Sequence, residues 1–98
     1  CIGKFKIKSL WFVIQRKNSG HSVEMHNHPK SALSGVYYFK VDKNSGGELN
    51  LHFENKITEF IPEIKDLIVF NSSIFHSVNS YHGKNDRIAV AWDAIYTF

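Results

Sequence analysis

The chain has 98 residues, of which 43% are hydrophobic and 14% aromatic, enough apolar surface for one core and too little for two. Twelve Lys and Arg against nine Asp and Glu leave a formal charge of +3, and because the lysines are scattered rather than clustered, nucleic acid is not expected as a partner. A single cysteine, Cys1, excludes a disulfide scaffold and suits a reducing compartment, so a cytoplasmic protein is expected.

No apolar run approaches the roughly 20 residues that span a bilayer. No charged-then-apolar leader opens the sequence, and no membrane partner is expected. Short β-branched and aromatic runs, broken at close intervals by Gly, Asn, Ser, Pro and Asp, predict strands at 4–8, 10–16, 22–26, 33–41, 48–53, 57–61, 67–70, 76–78 and 87–96. No helix is predicted. Asn18, Ser19 and Gly20, and then Asn44, Ser45, Gly46 and Gly47, supply residues that tolerate the positive φ of hairpin turns. Pro29 and Pro62 lack an N–H and mark strand edges or turns. Many short strands with no helices between them indicate a sandwich or barrel, and a jelly roll fits the number.

Six histidines are many for this length. His26 and His28 are two residues apart, and a strand sends such residues to one face, so both imidazoles can reach one ion. His76 stands at the start of a distant strand, after the apolar run from Leu67 to Phe70. Neutral imidazole binds iron, copper, zinc or nickel well. A surface pair of histidines on a loop is the competing reading, since His-x-His is a short pattern. His21, His52 and His82 have no partner at ligand spacing and read as surface or turn residues.

Arg87 opens the last strand and shares a face with Ala89 and Ala91. Two small residues beside a guanidinium leave room for a ligand carboxylate held by two parallel hydrogen bonds. An edge arginine in solvent is the plain alternative. Tyr37 and Tyr38 are adjacent in a strand, so they face opposite ways and the inner hydroxyl needs a partner. Trp11, Phe12, Phe39, Phe53, Phe70, Phe75 and Trp92 are core candidates.

Taken in order, Trp11, Gly20, His26-x-His28-Pro29, the run from Leu33 to Tyr38, Gly46-Gly47-Glu48-Leu49, Pro62, the run from Val69 to Ser72, His76-Ser77-Val78 and Arg87-Ile88 form a familiar series. From about Leu10 to Trp92 the chain resembles the iron(II)- and 2-oxoglutarate-dependent oxygenases, in particular bacterial and phage members near the prolyl hydroxylases. The resemblance implies an all-β double-stranded β-helix, a cupin-like jelly-roll barrel, spanning 1–98 as one domain without the N-terminal helices usual in the family. It implies Fe(II) and 2-oxoglutarate as cofactors, dioxygen as co-reactant, and a small-molecule or peptide substrate that the sequence does not identify. His26 and His76 would be metal ligands. Arg87 would grip the distal carboxylate of 2-oxoglutarate, with Tyr38 and Ser34 beside it. Such enzymes couple oxidation of 2-oxoglutarate to succinate and carbon dioxide with oxidation of a C–H bond.

In the family's usual pattern a carboxylate stands two residues after the first ligand, and here that position is His28. The third ligand is therefore His28, or else Glu24 from the other side of the pair. A non-catalytic, cupin-like barrel that holds a metal or small ligand is the alternative function. The cupin pattern calls for a glutamate several residues after His-x-His, and none lies between Pro29 and Gly35.

Overall fold

A computed structural model describes residues 3–97; Cys1 lies outside them. The strands are β1 (Lys4–Gln15), β2 (Val23–His26), β3 (Leu33–Lys40), β4 (Leu49–Phe53), β5 (Lys56–Phe60), β6 (Leu67–Asn71), β7 (Phe75–Val78) and β8 (Arg87–Thr97). They form two four-stranded antiparallel sheets, ordered β1-β8-β3-β6 and β2-β7-β4-β5. No helix occurs among the described residues, so none there is long and apolar enough to cross a membrane.

The two strands expected at 4–8 and 10–16 are a single strand, β1. Its register against β8 shifts between Ile7 and Ser9, which leaves Lys8 as an extra residue. A bulge of this kind moves the alternation on by one, so a break in sequence periodicity is not a break in the strand. Phe5 and Ile7 before the bulge, and Leu10, Phe12 and Ile14 after it, thus stay on the same face. All five are exposed. Leu10, Phe12 and Ile14 lie opposite Trp92, Val90 and Ile88 in register, giving the β1-β8-β3-β6 sheet an apolar outer surface.

Gly35 lies opposite Trp92 on that face, and a Cβ there would meet the indole ring at 2.1 Å, so only glycine admits the tryptophan in this position. On the inner face β8 presents Arg87, Ala89, Ala91 and Asp93, all buried, and β3 presents Ser34, Val36 and Tyr38. Tyr38, Leu49, Phe70, Tyr81 and Ala89 are among the buried side chains of the core.

Asp42, just after β3, ties down the chain before β8. Its carboxylate accepts hydrogen bonds from the backbone N–H of Asn85 at 2.9 Å and from the Asn85 side chain. The backbone donor at Asn85 is the largest cause holding the Asp42 carboxyl below its ordinary pKa. A depressed carboxyl stabilises the fold above its unfolded-state pKa, and that contribution disappears as pH falls through the folded-state value. Asp42→Ala should therefore lower the midpoint of denaturation at neutral pH, with the gap to wild type closing in acid. A gap that does not vary with pH would show that the carboxylate's charge is not what stabilises the turn.

Candidate metal centre

In the β2–β7 pair, His26 stands directly opposite His76, the arrangement in which cross-strand side chains come closest on one sheet face. Their ring centroids are 4.3 Å apart. His28 reaches them differently. β2 ends at His26, and the turn that follows is pinned by the N–H of His28 donating to the Ser72 carbonyl at 2.9 Å and the N–H of Ser31 donating to the His28 carbonyl at 3.1 Å. The His28 ring centroid then lies 5.0 Å from that of His26 and 5.2 Å from that of His76. One ring nitrogen from each of the three comes within 4.8 Å of the others.

Each ring has an oxygen beside Nδ1. Nδ1 of His26 lies 2.8 Å from the Glu24 carbonyl, Nδ1 of His76 lies 3.1 Å from the Ile74 carbonyl, and Nδ1 of His28 lies 3.1 Å from Oδ2 of Asp93. With the proton on Nδ1 facing each acceptor, Nε2 keeps its lone pair in all three rings, as a metal ligand requires. Burial is the main cause that lowers the pKa of His76, and the neighbouring imidazoles add to it against the Ile74 hydrogen bond. The neutral, ligating form is favoured.

Glu24 is not part of this group. Its side chain is exposed, and its contribution is the backbone carbonyl that orients His26. His21, His52 and His82 also stay outside, and His52 pairs instead with Ser77 Oγ at 3.1 Å.

The imidazoles border a cavity of about 500 Å³, open mouth included, lined also by Trp11, Val36, Leu49, Ala89 and Ala91. Arg87 lines it as well and is 1% exposed. Its guanidinium sits over the Tyr38 ring, 5.0 Å from the centroid. Nε and Nη1 of Arg87 and the Tyr38 hydroxyl make no hydrogen bond of regular geometry, and no carboxylate among the described residues forms an ion pair with Arg87. Burial lowers the Arg87 pKa and raises that of Tyr38, each partly offset by the other. Ser34 is buried but does not line the cavity; its hydroxyl bonds Asp93 Oδ1 at 2.6 Å. Asp93 escaped the sequence reading, although the two-residue period through Arg87, Ala89 and Ala91 leads to it.

Residues 9–61, more than half of the chain, match the family model 2OG-FeII_Oxy_5, described as "Putative 2OG-Fe(II) oxygenase". The chain belongs to this family of 2OG-Fe(II) oxygenases. No curated protein matches it. Among solved structures, the chain is similar to an oxidoreductase of the 2OG-Fe(II) oxygenase family from Burkholderia pseudomallei, at TM-score 0.80 and 21% identity over 96% of this chain and 44% of that one. It is similar to a prolyl-4-hydroxylase from Pseudomonas putida, at TM-score 0.71 and 19% identity over 88% of this chain and 50% of that one. A prolyl hydroxylase from Trichoplax adhaerens, in complex with a hypoxia inducible factor peptide fragment, matches at TM-score 0.72 and 23% identity over 93% and 46%. These likenesses show the fold, a double-stranded β-helix. The chain spans half or less of the length of these structures.

Iron(II) and 2-oxoglutarate are the cofactors that membership of the family implies, and the three imidazoles are a donor set that iron could use. Because His26 and His76 come from different strands and each brings a ring nitrogen to the cluster, replacing either with Ala should reduce iron(II) affinity by about tenfold or more, given that even supporting groups are worth about 10 to 100-fold. Equal metal content in wild type and both variants would exclude the cluster as the binding site.

Proposed function

We propose that this barrel is the catalytic core of an iron(II)- and 2-oxoglutarate-dependent oxygenase of hydroxylase type. His26, His28 and His76 hold the ion, Arg87 and Tyr38 receive the distal carboxylate of 2-oxoglutarate, and Ser34 acts at one remove through Asp93. The observation that carries this reading is Arg87, a buried guanidinium with unpaired donors and no acidic partner, lining the same cavity as three imidazoles.

Leaving a buried polar group unpaired costs about 1–3 kcal/mol, and more for a charged one. A ligand carboxylate would satisfy the guanidinium through a charge-assisted fork, with the Tyr38 hydroxyl free to donate a further hydrogen bond. The apolar side chains between the two ends exclude water and strengthen both electrostatic contacts. A barrel that held metal for structure alone would have no use for such an arginine.

When bound, iron(II) and 2-oxoglutarate supply the means to activate dioxygen for oxidation of a substrate C–H bond. The protein's own part is to hold three neutral imidazoles on one side of the ion, leaving its other side accessible, and to fix the orientation of the cosubstrate from its far end. The prolyl hydroxylases among the structural neighbours make a peptide one candidate class of substrate, a small molecule being the other.

Anaerobic addition of iron(II) and then 2-oxoglutarate should give the weak visible absorption band that requires both to be bound in contact. Arg87→Ala should weaken 2-oxoglutarate binding by a factor of about 30 to several thousand, equivalent to roughly 2 to 5 kcal/mol, while leaving iron affinity nearly unchanged. Arg87→Lys should do part of that damage, since an ammonium keeps the charge without the fork. If 2-oxoglutarate fails to bind the iron-loaded wild type, or binds Arg87→Ala equally well, the oxygenase reading of this cavity is wrong.

Gly47 offers a separate check on the same contact. Its φ is +76°, and a Cβ there would lie 2.9 Å from Cδ of Arg87. Gly47→Ala should therefore displace the guanidinium and weaken 2-oxoglutarate binding in the same direction as Arg87→Lys, with iron affinity preserved. Unaltered cosubstrate affinity would mean that the position of the guanidinium does not limit binding.

A further inference from the structure

Three neutral ligands leave a divalent ion with its whole charge, where a carboxylate in the third position would cancel one unit. The structure has a carboxylate nearby that is not a ligand. Asp93 is 7% exposed, on the inner face of β8 opposite Ser34 in register. One oxygen, Oδ2, lies 3.1 Å from Nδ1 of His28; the other, Oδ1, accepts the Ser34 hydroxyl at 2.6 Å, and Ser34 Oγ lies 3.0 Å from Ser72 Oγ. No lysine or arginine among the described residues forms an ion pair with it. Burying a carboxylate without a cationic partner is expensive, and such groups stay only where fixed partners hold them.

We infer that Asp93 is a positioning residue for the third ligand, supplying through His28 the negative charge that the family's usual pattern places directly on the metal. This rests on the proposal that His28 is a ligand. Asp93 holds the His28 proton on Nδ1, turns Nε2 toward the ion and makes the imidazole a stronger donor, as acceptors behind metal-bound histidines do. Ser34 and Ser72 keep the carboxylate from swinging away. The assembled site is then neutral, because the two charges of the ion and the one on Arg87 meet the two carboxylates of 2-oxoglutarate and the one of Asp93.

Two substitutions separate this role from simple packing. Asp93→Asn keeps the shape and an accepting oxygen but removes the charge, whereas His28→Asp moves a carboxylate into the ligand position, where it would face Asp93 as a like charge. Cobalt(II) is a suitable probe, followed by its visible spectrum and by calorimetry, with the melting of the metal-free protein measured alongside. Asp93→Asn should weaken cobalt(II) binding by about 10 to 100-fold with little change in metal-free melting. In the His28→Asp background the same substitution should leave binding unchanged or tighten it.

A loss of equal size in both backgrounds, or no loss with His28 present, overturns the role of Asp93 while leaving the three-histidine site intact. If the wild type does not bind cobalt(II), the metal site itself falls and this role with it. Zinc-loaded wild type gives a test that needs no variant. The Nδ1 proton of His28 should appear far downfield in the proton spectrum and exchange slowly with water, and a rapidly exchanging proton there would contradict the contact with Asp93.

Discussion

The site depends on the inner face of β8. A strand advances about 3.4 Å per residue and returns to the same face every second residue, so Arg87, Ala89, Ala91 and Asp93 lie along one line of about 20 Å inside the barrel. The charged residues stand at its two ends and the small ones between them. The small residues leave room for a cavity. The ends differ in chemistry, a guanidinium that lines the cavity at one and, at the other, a carboxylate behind the cavity-lining His28. β8 can do this because it is central in its sheet, paired with β1 on one side and β3 on the other, which leaves it little freedom to slide. A slip of one residue would carry all four side chains to the outer face.

The second sheet brings the imidazoles to that line. His26 and His76 face each other because β2 and β7 pair in one register, while His28 is delivered by a turn whose backbone is hydrogen-bonded to Ser72. Two of the imidazoles are thus set by strand pairing and one by a loop. The loop imidazole is also the one whose Nδ1 faces a side chain rather than a backbone carbonyl. A carbonyl partner is fixed once the strand has formed, whereas a carboxylate partner adds charge and can be altered by mutation. The structure therefore places its adjustable contact at the position where this chain departs from the two-histidine, one-carboxylate pattern.

The apolar surroundings make these polar contacts consequential. Trp11 packs near His28, with ring centroids 5.8 Å apart, and Phe70 lies 4.9 Å from the His76 ring. Burial of His76 disfavours its protonated form, and low polarity around the rings strengthens any contact with a metal or an anion. Opposite considerations govern the outer face of the β1-β8-β3-β6 sheet, where Leu10, Phe12 and Ile14 are exposed beside Trp92, Val90 and Ile88. One sheet therefore carries an apolar surface outside and an apolar cavity with two polar ends inside.

Sequence alone determined the all-β class, most strand positions and the inner set of Arg87, Ala89 and Ala91, because strand alternation and turn chemistry are local properties, and it offered His26, His28 and His76 as candidates. It also set the assignment of Tyr38 against Tyr37 as a choice between two faces, which the buried position of Tyr38 decided. The bulge at Lys8 was illegible, since an extra residue and the end of a strand interrupt the pattern in the same way. The joint position of His26 and His28 was inferred from a strand that in fact ends at His26, so the right pairing arises from a turn held by Ser72, 44 residues away in number from His28. Only the tertiary structure could show that Glu24 points outward, that Ser34 turns to Asp93 instead of the cavity, and that Asp93 meets His28. These are contacts between distant segments, and their geometry is set by how two sheets pack, which no spacing along one chain encodes.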